Sequence, residues 1–198
     1  MKSTPIMKAR FLAIDLEMTG VNPSVDEIIE IAAIPISAIE IGTEEAFYSE
    51  VAPERNIPAD SKAIHGIHGK ELAIAPPLYE VMPQVTSMLK GRIIVGHGVR
   101  EDLLFLRAKA KTAGVIPPTR PAVDTMEIAR YLEPANKKGM SLDELLEYCA
   151  MKPRDTVHNA LTDAILASRV FIRLLAELKK QNVVRDVKDL LSIGGVEW

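Results

Sequence analysis

Apolar residues run almost unbroken through RFLAIDLEM (10–18) and EIIEIAAIPIS (27–37), with the turn residues TGVNPS between them. A third short run, AFYSEVAP (46–53), completes a predicted three-stranded meander. Polar, proline-bearing PERNIPADSKAIHGIHGKEL then leads away, and the spacing changes. Apolar positions recur three and four apart at Leu78, Val81, Met82, Val85, Met88 and Leu89, which predicts a helix started by Pro76 and Pro77 and closed at Gly91. RIIVGHGV (92–99) reads as a short buried strand and DLLFLRAKAKTAG (102–114) as a helix ending on its glycine. PAVDTMEIARYLEP (121–134) gives a short apolar lead-in and then a helix, with Asp124 as its N-cap. Ser141 and Glu144 form a capping box before LDELLEYCA, a helix to Ala150. LTDAILASRVFIRLLAELKK (161–180) is the longest predicted helix, and VVRDVKDLLSIGG near the C-terminus is a short helical piece. Three strands followed by alternating helices and strands predict an α/β fold, a mixed sheet of about five strands with helices on both faces.

Composition narrows this to one domain over residues 1–198, with a core of about 8–178 and a tail of 182–198. At 47% apolar and 26% charged the balance is that of a globular protein with a full core. The net charge of −3 carries no electrostatic signature of a nucleic-acid partner. It does not exclude one, because a carboxylate site that recruits divalent cations meets a polyanion through those cations. A lone cysteine, Cys149, forms no internal disulfide and suits a reducing cytoplasm. MKSTPIMKAR lacks a long apolar core and no stretch approaches a membrane span, so the expectation is a soluble, cytoplasmic protein without a secretory signal.

The chemistry begins at AIDLEMTG (13–20), where Asp15 and Glu17 interrupt an otherwise apolar strand. Two residues apart on a strand, they share a face, and like charges held side by side repel unless a cation binds or one acid stays protonated. Two further acids stand at helix starts: Asp102 after the strand RIIVGHGV, and Asp163 five residues after His158 in HNALTD. Taken singly, each reads as a first-turn acid favoured by the helix dipole. Five helical residues turn through roughly 140° beyond a full turn, so a His158 that cooperates with Asp163 must sit in the loop before the helix. Four carboxylates at strand and helix ends suit hard divalent cations, Mg²⁺ or Mn²⁺, two of which together support phosphoryl displacement. A histidine beside them suits a general base for a water nucleophile.

DLEMTG (15–20), HGVRED (97–102) and HNALTD (158–163) resemble, in order and spacing, the three exonuclease motifs of the DEDD superfamily, and the histidine five before the last aspartate is that of the DEDDh branch. The resemblance runs from about Arg10 to Leu175. It implies a ribonuclease H-like fold and removal of nucleotides from the 3′ ends of single-stranded DNA or RNA with two Mg²⁺ or Mn²⁺ ions. It makes Asp15, Glu17, Asp102 and Asp163 metal ligands and His158 the general base. AIHGI (63–67), with His65, Gly66 and Ile67, is similar to the segment near the terminal nucleotide; Met18 and Thr19 match residues lining the terminal sugar and base, and His97 is a further substrate-binding candidate.

Gly98 and Glu101 depart from the second motif, where many relatives carry asparagine and an aromatic residue. Neither departure touches a metal ligand; both bear on the grip on the nucleotide. DLEMTG resembles oligoribonucleases, with some similarity to ribonuclease T, whereas the meander followed by AIHGI resembles proofreading subunits and domains of bacterial replicative polymerases. The second covers more chain, so the expected substrate is DNA, with RNA ends as the alternative. A polymerase subunit is a candidate partner, and Leu190, Leu191, Ile193 and Trp198 in the tail are either its docking segment or, as the favoured reading, packed on the domain. A non-catalytic binding module on the same fold predicts a missing carboxylate or histidine, and none is missing.

Overall fold

The computed structural model describes residues 4–54, 72–117, 119–136, 138–153 and 158–198. The long apolar runs become β1 (Phe11–Met18) and β2 (Ile28–Ile36), joined antiparallel with β3 (Phe47–Glu50). Helix α1 (Leu78–Met88) leads to β4 (Ile93–Gly96), which lies parallel to β1; α2 (Val99–Thr112) leads to β5 (Ala122–Asp124), parallel to β4. Three helices follow: α3 (Thr125–Leu132), α4 (Leu142–Tyr148) and α5 (Ala160–Lys180). The chain closes with α6 (Val187–Gly194) and β6 (Gly195–Val196), antiparallel to β5. The sheet order β3-β2-β1-β4-β5-β6 puts β1 inside, and among the described residues the strands number six rather than about five.

Alternation along β1 divides the interior in two. Phe11 and Ala13 point into one core with α5, whereas Leu12, Ile14 and Leu16 point into the other with Val81, Met82 and Val85 of α1 and Leu103 and Leu106 of α2. Helices therefore cover both faces. Helix α5 runs back along β1, and the rings of Phe11 and Phe171 meet edge to face with centroids 4.9 Å apart, an arrangement that adds about 0.5–1.5 kcal/mol to their burial.

Several boundaries move for local reasons. Helix α2 starts at Val99, three residues before the predicted Asp102, which places that acid inside the first turn. Helix α4 stops at Tyr148, because Cys149 caps it and Ala150 turns left-handed with φ 55°. The tail does more than form a helix. Leu190 is buried, Leu191 and Ile193 pack beside it, and Trp198 lies against the opposite core while its carbonyl accepts from Arg107 at 3.1 Å. The tail residues offered as a docking segment are thus built into the domain. Gly195 permits the turn from α6 into β6, since a Cβ there would collide with the Leu191 carbonyl. Among the described residues no helix is long and apolar enough to cross a membrane.

Candidate active site

Asp15 and Glu17 continue the face of β1 that carries Phe11 and Ala13, so they point to the side covered by α5. The apolar alternation ends where they begin. A register shift between Glu17 and Met18 leaves Ile29 of β2 as the extra residue, a bulge of the kind that re-aims side chains beside sites. Asn159 caps α5 by accepting the Thr162 N–H at 2.8 Å, and Asp163 stands in the first turn, buried. One carboxylate oxygen from each of Asp15, Glu17 and Asp163 lies within 4.8 Å of the other two. Three acids that close repel one another, and an all-oxygen donor set of this kind fits a hard divalent cation. His158 stands in the loop one residue before the cap, its Nδ1 3.1 Å from Asp163 Oδ2 and its side chain 52% exposed.

Asp102 arrives from the opposite layer. The N-cap of α2 is Gly98, held left-handed at φ 66° and ψ 26°, and it has no side chain with which to cap the helix. Asp124 supplies the cap from 26 residues away: its carboxylate accepts the N–H groups of Gly98 and Val99, each at 3.0 Å, and that of Met126 at 2.9 Å. One buried acid thus caps two helices. Burial pushes the carboxyl of Asp102 well above the usual range; the charges of Glu101, Asp124 and Glu17 add to this, and a hydrogen bond from the Leu16 N–H opposes it. Asp102 is not in the close triplet; the Leu16 N–H ties it to the end of β1, and Glu17 is among the charges that raise its carboxyl.

The remaining predicted residues are distributed around this centre. His97 Nδ1 lies 2.9 Å from Thr125 Oγ1, and that hydroxyl donates its single proton to the Gly96 carbonyl at 3.2 Å. Met18 is half-buried, and Thr19 is buried with its hydroxyl accepting the Glu27 N–H at 2.9 Å, so that side chain braces the β1–β2 connection. His65, Gly66 and Ile67 lie outside the described residues.

Two buried acids beside the site went unremarked or half-read in the sequence. Asp124 is the N-cap of α3, as its position before Thr125 predicts, but its hold on α2 has no local signature. Glu30, in IIEIAAI of β2, is paired in register with Glu17 and is 3% exposed. It accepts the Tyr48 hydroxyl at 2.8 Å and the Ala160 N–H at 2.9 Å. A lone acid in an apolar strand is a weaker form of the signal that the pair Asp15 and Glu17 gave.

The model of an exonuclease family (RNase_T) matches residues 12–171. The chain is 34% identical over 177 residues to the PolC-type DNA polymerase III of Thermotoga maritima, covering 89% of this chain and 13% of that polymerase's length. It is 33% identical over 186 residues to the DNA polymerase III subunit epsilon of Aquifex aeolicus, covering 90% of each. Among solved structures, E. coli exonuclease I in complex with a dT13 oligonucleotide superposes with a TM-score of 0.70 at 19% identity, over 87% of this chain and 43% of that one.

Proposed function

The chain belongs to the exonuclease family, and from that premise we propose that it hydrolyses the terminal phosphodiester at the 3′ end of single-stranded or frayed DNA, releasing nucleoside monophosphates. The observation that carries the proposal is the triplet of Asp15, Glu17 and Asp163 with His158 on Asp163. Asp15, Glu17 and Asp163, with Asp102 opposite, are the residues that would hold Mg²⁺ or Mn²⁺. Such cations, when bound, supply positive charge for activating water and for stabilising charge on the attacking and leaving oxygens.

The chain's own residues do the rest. Asp163 Oδ2, 3.1 Å from Nδ1, orients the His158 ring, and Nε2 is the atom that would take the proton of the attacking water. The water oxygen bonds to the terminal phosphorus, the bond to the 3′ oxygen of the shortened strand breaks, and that oxygen takes a proton from solvent to become a hydroxyl. Half-buried Met18 stands next to Glu17 at the end of β1, where a terminal nucleotide would rest. DNA is favoured over RNA because the Aquifex relative, matched over nine-tenths of both chains, is named as a DNA polymerase subunit. By the same relative, a polymerase subunit is the proposed partner.

The test uses end-labelled single-stranded DNA and RNA oligonucleotides with Mg²⁺, Mn²⁺ or EDTA. The expected result is a ladder shortening from the 3′ end, faster on DNA, absent in EDTA and in Asp15→Ala, and slowed about 10²–10⁴-fold in His158→Ala. Activity untouched by Asp15→Ala overturns the assignment; faster loss of RNA overturns the choice of substrate.

A further inference from the structure

We propose that Glu30 is a positioning residue for this site: its carboxylate ties the first turn of α5 to β2 beside Glu17, and so sets where Asp163 and His158 stand relative to Asp15 and Glu17. The proposal rests on the metal-dependent reading above.

A carboxylate at 3% exposure in the middle of an apolar strand is costly unless its oxygens are hydrogen-bonded. Both are. Oε1 accepts from Tyr48, on the neighbouring strand, and Oε2 accepts from Ala160, which is 130 residues away. Ala160 is the first residue of α5, where N–H groups lack helical partners and the helix dipole favours an anion. Glu30 and Glu17 are directly opposite in the antiparallel register, so their side chains share a face. The carboxylate therefore stands between Glu17 and the start of the helix that carries Asp163. Burial and the bond to Glu30 push the Tyr48 hydroxyl upward, so it stays protonated and keeps donating.

Helix stability alone does not account for this acid. Asn159 already caps α5 through the Thr162 N–H. What Glu30 adds is a tether between the helix and the strand beside Glu17. A third acid next to Glu17 would otherwise weaken the protein through repulsion.

The experiment measures Mn²⁺ binding by electron paramagnetic resonance on the full chain, together with kcat and KM on a DNA oligonucleotide and a melting curve for each variant. Glu30→Ala is expected to weaken Mn²⁺ binding about 10–100-fold, as loss of an outer-shell support does, and to lower kcat with KM little changed. Glu30→Gln keeps an acceptor oxygen for Ala160 and should recover most of the loss. Ala160→Pro removes the donor instead. Proline suits the first helical position, and Asn159, at φ −150° and ψ 150°, already has the extended backbone that a residue before proline prefers. It should weaken Mn²⁺ binding through loss of the same Glu30–Ala160 bond, with the double variant no worse than Glu30→Ala, which gives up the bond from Tyr48 as well.

If Glu30→Ala does not fold, Glu30→Gln and Ala160→Pro decide the matter. Wild-type Mn²⁺ affinity in folded Glu30→Ala and in Ala160→Pro, or additive losses in the double variant, overturns the inference while leaving the nuclease reading in place. A wild-type chain that takes up no Mn²⁺ overturns the metal reading and this inference with it.

Discussion

Helices α2 and α5 bring Asp102 and Asp163, each from a first turn, to the end of β1, yet their starts are secured differently. Helix α5 has its own cap, Asn159, and a tether from Glu30 as well. Helix α2 follows a left-handed N-cap, Gly98, and relies on Asp124, which also caps α3. The α5 start is secured twice; at the α2 start one side chain serves two helices. Damage at Asn159 should stay local, whereas damage at Asp124 should spread from α3 to α2 and to Asp102.

The largest test of this contrast is on the acids themselves. Asp102→Asn and Asp163→Asn should each cut the rate by more than about 100-fold, beyond what loss of an outer-shell group costs. Asp102→Asn should also change stability. With its carboxyl held above the usual range, Asp102 contributes stability that is fully present below ordinary carboxylate pH and is lost as pH rises through the raised value. In EDTA the Asn variant should melt higher than wild type at alkaline pH, and the gap should close as pH falls. Melting curves across pH check this, and a lower melting temperature at alkaline pH would break the account of Asp102.

Next in size are the caps. Asp124→Ala removes the acceptor from two helix starts and should cost about 2 kcal/mol, against about 1 kcal/mol for Asn159→Ala, measured by urea unfolding. Equal costs would mean that Asp124 does not serve both helices. The smallest effect is at Gly98, where a Cβ would meet nothing within 4 Å and only the left-handed backbone resists. Gly98→Ala should cost about 1 kcal/mol and Gly98→Asn less, because asparagine tolerates that conformation.

Local devices were legible in the sequence, and those that cross the fold were not. The apolar run in RFLAIDLEM located β1, and Ser141 with Glu144 announced a capping box that the structure contains. Helical arithmetic put His158 in the loop on the condition that it meets Asp163, and it stands there, one residue before the cap. Asp124 was readable as a cap for α3, because that bond spans two residues, but not for α2, where the bonds span 25 and 26. Glu30 carried a visible clue, an acid inside IIEIAAI, yet its partner Ala160 is apolar and contributes only a backbone N–H. Strand β6 gave no clue at all, since Gly195 and Val196 are too few to alternate and pair only because β5 presents an edge.

The Phe11–Phe171 contact turns β1 and α5 into a matched pair of rulers. From Phe171 back to Asp163 is eight helical residues, about 12 Å, and from Phe11 on to Asp15 is four strand residues, about 13 Å. The aromatic pair at one end and the acids at the other therefore come into step together. One residue gained or lost in α5 within that span would swing Asp163 about 100° round its axis, and in β1 it would send the acids to the wrong face. Length, more than side-chain identity, is what the stretch between these two contacts has to preserve.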